Sequence, residues 1–199
     1  MKEHPILFSP DMVKAILDSR KTQTRRVVKI RPGDCFNTRR IIPGVVCDDD
    51  GEYYGFCSEE HNYKCPYGKP GDQLWVRETW SPTIAIFDKT TGRPAIISYK
   101  ADAPPIEGMY DSIKWKPSIH MPRWASRITL EVVNVRVERV QDITDTDIEE
   151  EGTVLNKGIE SYYLRTKFSE LWDSINAKRG FGWDKNPWVW IIEFKVAKP

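Results

Sequence analysis

RITLEVVNVRVERV, residues 127–140, decides the fold. Ile128, Leu130 and Val132 alternate with polar residues, then Val133, Val135 and Val137 do the same in the opposite phase. A period of two marks a strand with one face buried. A phase flip inside such a strand predicts a bulge or sharp bend at Val132-Val133, as small barrels need. Downstream, Thr144 or Asp145 caps a short acidic helix that ends at Gly152. A longer helix spans about 161–176, with Leu164, Phe168, Leu171, Trp172 and Ile175 as its apolar stripe. Pro187 opens a last strand, residues 188–196. Upstream, Ser9 caps a helix with Pro10 at its first position, and Met12, Val13, Ile16 and Leu17 form its stripe. Strands follow at 27–28, at 74–80 after the Lys69-Pro70-Gly71-Asp72 turn, and at 95–100. The strands are too scattered for βαβ units and too few for a sandwich. The expectation is an α+β fold: one domain over 1–199, a small mixed β-barrel with flanking helices and loop-rich insertions at about 31–68 and 81–126. Residues 31–70 show little periodicity, with a hairpin placed around Asp50-Gly51.

The totals narrow the function classes. With 199 residues, 40% hydrophobic content and eight tryptophans, the chain can bury a core. The net charge of +1 rules out a general polycation, so any nucleic-acid contact is made by local patches. No apolar run reaches the length of a membrane span and no signal-peptide core opens the chain, which makes a cytoplasmic protein the expectation. Cys35, Cys47, Cys57 and Cys65 are then expected to be reduced. Cys57-x3-His61-x3-Cys65, with Cys47 upstream, fits no common zinc-knuckle spacing, so no metal and no cofactor are expected.

The densest chemistry lies just after the first helix. SRKTQTRR, residues 19–26, holds four cations and two threonines, and Asp34 is the sole acid between Arg20 and Arg40. Four unpaired cations cannot be core. They face solvent, as a plain basic turn would, or an anionic ligand. In an extended segment Lys21, Gln23 and Arg25 share one face, and Thr22, Thr24 and Arg26 the other. A Thr hydroxyl becomes a nucleophile when a base takes its proton, and a lysine beside Arg20, Arg25 and Arg26 can be that base. Glu149, Glu150 and Glu151 supply candidate carboxylates for the leaving group. A second mixture, Trp115, Lys116, His120, Arg123, Trp124 and Arg127, interleaves aromatics with cations. It suits stacking on unpaired bases with phosphates held alongside, or equally a pair of core tryptophans with outward cations. Trp75, Arg77, Glu78 and Trp80 alternate along one strand, with Glu78 free to pair with Arg77 or Arg26 or to line a cleft.

RKTQTRR resembles the signature segment of ASCH domains, which are related to PUA domains and have a PUA-like β-barrel. Small bacterial ASCH proteins that act as N4-acetylcytidine amidohydrolases carry a similar helix followed by RKTxTxR, and use its Lys, its second Thr and a downstream Glu. The first two fall on Lys21 and Thr24. Aligning the Leu-Thr pair that opens the downstream acidic helix with Ile143-Thr144 puts the Glu on Glu151. The likeness covers about half the chain: 6–29, 69–80, 127–152 and 187–196. KPGDQLWVRETW (69–80) and KPSIHMPRWASRITLEV (116–133) resemble a longer, phage- or prophage-associated group of ASCH-like proteins, for which the resemblance implies no settled activity. It implies a basic cleft for RNA or a modified nucleoside, bound through Arg20, Arg25, Arg26, Trp75, Arg77, Glu78, His120, Arg123, Trp124 and Arg127. Three outcomes stay open: deacetylation by Lys21, Thr24 and Glu151; binding without turnover; or ribonuclease chemistry through Lys21, His120 and Arg123.

Overall fold

The computed structural model describes residues 1–29, 55–57, 62–82, 90, 92, 97–103, 113–153 and 161–197. In chain order its elements are β1 (Glu3–Leu7), α1 (Pro10–Leu17), β2 (Gln23–Val27), β3 (Gly55–Cys57), β4 (Asn62–Lys64), β5 (Gln73–Arg77), β6 (Trp80–Pro82), β7 (Ile97–Tyr99), β8 (Thr129–Arg139), α2 (Asp145–Glu150), α3 (Ser161–Asn176) and β9 (Trp188–Val196). Helix and strand contents are mixed, as an α+β chain requires. Among the described residues no helix is long and apolar enough to cross a membrane.

Five strands form one sheet in the order β1-β5-β8-β9-β2. β1 runs parallel to β5, and the other neighbours are antiparallel. Along β8 the register shifts between Val132 and Asn134, so Val132 faces Phe194 across the ladder while Asn134 faces Glu193. Val133 is the extra residue of this bulge and is 49% exposed. The phase flip read from the sequence is therefore real, but Val133 points outward and the inward set resumes at Val135 and Val137.

The bulge bends β8, and the sheet is packed on both faces. Ile6, Phe8, Val13, Ile16, Leu74, Leu130, Val135, Ile192 and Phe194 form one core beneath α1. Ile143, Ile148, Leu164, Phe168, Trp172, Val189 and Ile191 form a second core that seats α2 and α3. β9 serves both: Val189 and Ile191 look one way, Trp190 and Ile192 the other. Such a strand, buried on both faces, reads as a continuous apolar run. β1 and β2 are the two ends of the ladder. The Arg26 guanidinium, on β2, donates to the Leu7 carbonyl, on β1, so one side chain links these ends.

The two stretches read as insertions contain short hairpin-like pairs. β3 pairs with β4 through Phe56 and Tyr63, and β6 with β7 through Ser81 and Ser98. The hairpin expected around Asp50-Gly51 lies outside the described residues. Trp80, Met121 and Ala125 make a small separate core beside β6 and β7.

Candidate active site

The site begins at the end of α1. Ser9 caps the helix through its hydroxyl, and Pro10 needs no hydrogen bond there. At the other end Ser19 turns left-handed (φ 57°), and the Arg20 and Lys21 amides both donate to the Ala15 carbonyl. This cap throws the chain sideways into β2. The Thr22 amide then donates to the Glu150 carbonyl, and Lys21 and Glu151 make an isolated antiparallel bridge. The end of α1 is thereby laid against the end of α2.

Gly152 makes that approach possible. Its φ is +84°, and a Cβ there would sit 2.7 Å from the Ala15 Cβ and 2.9 Å from the Lys21 Cβ. Gly152→Ala is expected to destabilise the fold by about 1–3 kcal/mol, through strain and overpacking together. Denaturant unfolding checks this; an unchanged midpoint contradicts the close approach.

Strand periodicity now meets helix periodicity. Lys21, Gln23 and Arg25 lie at spacing two, and Asp147 and Glu151 lie at spacing four on one face of α2 and its cap. Lys21 Nζ donates to Glu151 Oε2 at 2.6 Å and to the Glu151 carbonyl at 2.8 Å. Gln23 Nε2 donates to the Asp147 carboxylate and carbonyl, both at 2.9 Å. Arg25 spans the two acids, 3.2 Å from Glu151 Oε1 and 3.1 Å from Asp147 Oδ2. The face-sharing read from the sequence is what assembles the site. The Lys21 side chain is 0% exposed and that of Glu151 7%. Burial pulls the Lys21 ammonium below the usual lysine range, Glu151 opposes that shift, and the Arg26 and Arg25 charges add to it.

Thr24 is buried between these residues in sequence, and its backbone pairs with Ile192. It lines a cavity of about 310 Å³ together with Arg25, Arg26 and Glu151. That volume falls at the low end of small-molecule sites, about 300–1,000 Å³. The opposite wall is α3: Phe168, Leu171, Trp172 and Ile175. The stripe read on this helix is split in two. Leu164, Phe168 and Trp172 pack into the second core, while Leu171 and Ile175 stay 40% and 43% exposed beside the cavity. A second hollow, about 370 Å³, reaches Glu151 from the side of Arg20, Lys14 and Thr153.

The remaining sequence-predicted residues lie elsewhere. Arg20 is held by Asp18 and the Gly152 carbonyl and borders that second hollow. Arg123 grips Glu3 with two bonds of 3.0 and 2.7 Å. Arg127 holds Glu78 and Asp102 and stacks on Tyr99, 4.0 Å from the ring centre. Glu78 is thus buried against Arg127 rather than Arg77 or Arg26, and burial raises its carboxyl. Arg77 donates to the Ile119 carbonyl and lies over Trp75 at 5.4 Å. Trp124 meets Trp80 edge-on at 5.9 Å, and His120 is exposed in a 3-10 turn. None of these groups lines the 310 Å³ cavity. Aromatic–cation interleaving here builds internal ion pairs and stacks.

Sequence reasoning missed Asp147, the hub of the site; its signal was the spacing of four from Glu151. It also missed Arg179 on the cavity wall, where Lys29, from the basic run after Arg26, is its neighbour in the lining. Among the described residues no three His, Cys, Asp or Glu side chains gather as a metal site. Cys47, His61 and the Cys57 side chain fall outside the described residues. Cys65 is buried, which pushes its thiol up to about 12. No family model matches the chain, and no curated protein or solved structure is significantly similar to it.

Proposed function

We propose that this chain is an amidohydrolase of the ASCH type, on a partly open, PUA-like barrel, that removes the acyl group from the exocyclic amine of a modified nucleobase such as N4-acetylcytidine. One observation carries the reading: a fully buried lysine donates to a glutamate across 2.6 Å, and that glutamate and Thr24 border one cavity.

Passing one proton from Lys21 Nζ to Glu151 Oε2 turns the ion pair into an amine and a carboxylic acid without changing net charge. Burial of Lys21 favours its neutral amine. The amine is then the base and the acid is the proton donor. Thr24 Oγ1 attacks the acyl carbon while its proton passes to Lys21 Nζ. As the carbon–nitrogen bond breaks, Glu151 Oε2–H protonates the leaving amine. Thr24 now carries the acyl group as an ester. Water attacks that ester, giving its proton to the Glu151 carboxylate, and the Lys21 ammonium reprotonates Thr24. The carboxylic acid leaves and both groups return to their starting state. Arg25, whose Nε has no partner among the described residues, is the cation assigned to the oxyanion. A cytoplasmic setting belongs to the same proposal.

A binding role is the rival reading. It is favoured by the two bonds from Lys21 Nζ to Glu151, one to its backbone, which would suit a structural clamp. Ribonuclease chemistry has less support, because Arg123 is committed to Glu3 and neither it nor His120 shares the cavity with Thr24. Incubation with N4-acetylcytidine, followed by chromatography, separates the first two. Release of cytidine and acetate by the wild type, lost in Thr24→Ala, is expected. Retained ligand binding without any release of acetate identifies a binding module instead.

A further inference from the structure

The cavity carries more positive charge than deacylation needs. Among the described residues four cations line it, Arg25, Arg26, Lys29 and Arg179, against one acid, Glu151. Arg25 is already matched by Glu151 and Asp147. Lys29 and Arg179 have no acidic partner among the described residues, and Arg26 has only the charge of Glu151, which Arg25 already matches. Arg26 donates to the Leu7 carbonyl and lies over the Phe8 ring, and its Nε is buried without a hydrogen-bond partner among the described residues. Arg179 touches only Asn176 Oδ1, at 3.4 Å. Burial holds the Arg26 guanidinium below its usual range, Tyr67 and Glu151 oppose that shift, and the nearby Arg179 charge adds to it. Like charges kept together around a half-buried hollow destabilise the protein unless an anion joins them.

We propose that Arg26, Lys29 and Arg179 form a subsite for a terminal phosphate, so that the substrate is an acylated mononucleotide rather than a free nucleoside or an RNA chain. This rests on the amidohydrolase reading for the acyl group but not for the phosphate. A phosphomonoester carries close to two charges at neutral pH, and offers three acceptor oxygens to the two guanidiniums and the ammonium. An internal phosphodiester offers one charge. The surface that would follow an RNA chain has its cations spent: Arg123 on Glu3, and Arg127 on Glu78 and Asp102. Within the cavity, Leu171 and Ile175 give the nucleobase an apolar wall, while the phosphate end meets the three cations.

Calorimetric titration of the wild type with cytidine 5′-monophosphate, with cytidine, and with a short single-stranded RNA lacking a terminal phosphate tests this without turnover. The monophosphate is expected to bind about tenfold to hundredfold tighter than cytidine. Lys29→Gln and Arg179→Gln, both on exposed positions, should remove most of that difference and leave cytidine affinity unchanged. Equal affinity for cytidine and its monophosphate overturns the subsite. RNA binding as tight as the monophosphate, with the same loss in both variants, overturns the mononucleotide in favour of a chain. Failure to release acetate in the separate turnover assay removes the amidohydrolase and leaves this result standing.

Discussion

Lys21→Met and Glu151→Gln should each lower turnover of an N4-acylated cytidine by about 10³-fold, and the double variant should be little worse than either. In the proposed reaction the two side chains act as one proton carrier, so losing either end should stop the relay. Lys21→Met keeps the length of the stem and removes the amine. It also leaves Glu151 with Arg25 as its remaining charged partner. Glu151→Gln keeps shape and leaves Lys21 buried beside a neutral amide. Breaking a buried pair costs about 3–5 kcal/mol when a charge is stranded, so unfolding of each variant is measured alongside activity. In the wild type the competent pair holds one proton, so the rate should fall as alkali removes it. The fall comes below the usual lysine range, because burial lowers the Lys21 ammonium. A rate that holds until the ordinary lysine range means that Lys21 and Glu151 do not share this task.

Asp147→Ala should be the most destabilising single change at the site. One carboxylate accepts from Gln23, from the Thr144 amide and hydroxyl, and from Arg136, and pairs with Arg25. Removal leaves Arg25 with Glu151 alone, takes one of Gln23's two acceptors and removes the Asp147 half of the capping box of α2. A loss of about 3–5 kcal/mol is expected from breaking this buried network. The acid range gives an independent check. Although burial alone would raise it, hydrogen bonds from Gln23 and Thr144 and the Arg25 charge hold Asp147 at about 2, against an ordinary 3.8. A carboxylate depressed on folding stabilises above its unfolded value and loses that contribution as pH falls. About 2 kcal/mol should therefore disappear between roughly pH 4 and pH 2. Urea titrations of wild type and Asp147→Asn over that window should differ in slope; parallel curves contradict this role.

Elements set by local periodicity were legible in the sequence. The bulge in β8 follows from two apolar phases, and α2 follows from a cap at Thr144 and a stop at Gly152. The face of Lys21, Gln23 and Arg25 follows from a period of two. Pairings made across long separations were not legible. β1 was overlooked because Pro5 interrupts its pattern, yet as an end strand paired only with β5 it tolerates a proline. Arg123 and Arg127 suggested a ligand surface because their partners, Glu3 and Asp102, are 120 and 25 residues away. On α3 one stripe served two surfaces, since a helix face wider than its contact leaves Leu171 and Ile175 for the cavity. The basic run through Arg26 was legible, but Arg179 joins it only after the chain folds.

Acylation of Thr24 is the step on which the proposed reaction turns. Intact-protein mass spectrometry after rapid mixing with N4-acetylcytidine and acid quench reads it directly. A transient species heavier by one acetyl group is expected, with fragmentation placing the group on Thr24, and no such species in Thr24→Ala or Lys21→Met. Release of cytidine and acetate with no adduct, undiminished in Thr24→Ala, would contradict it.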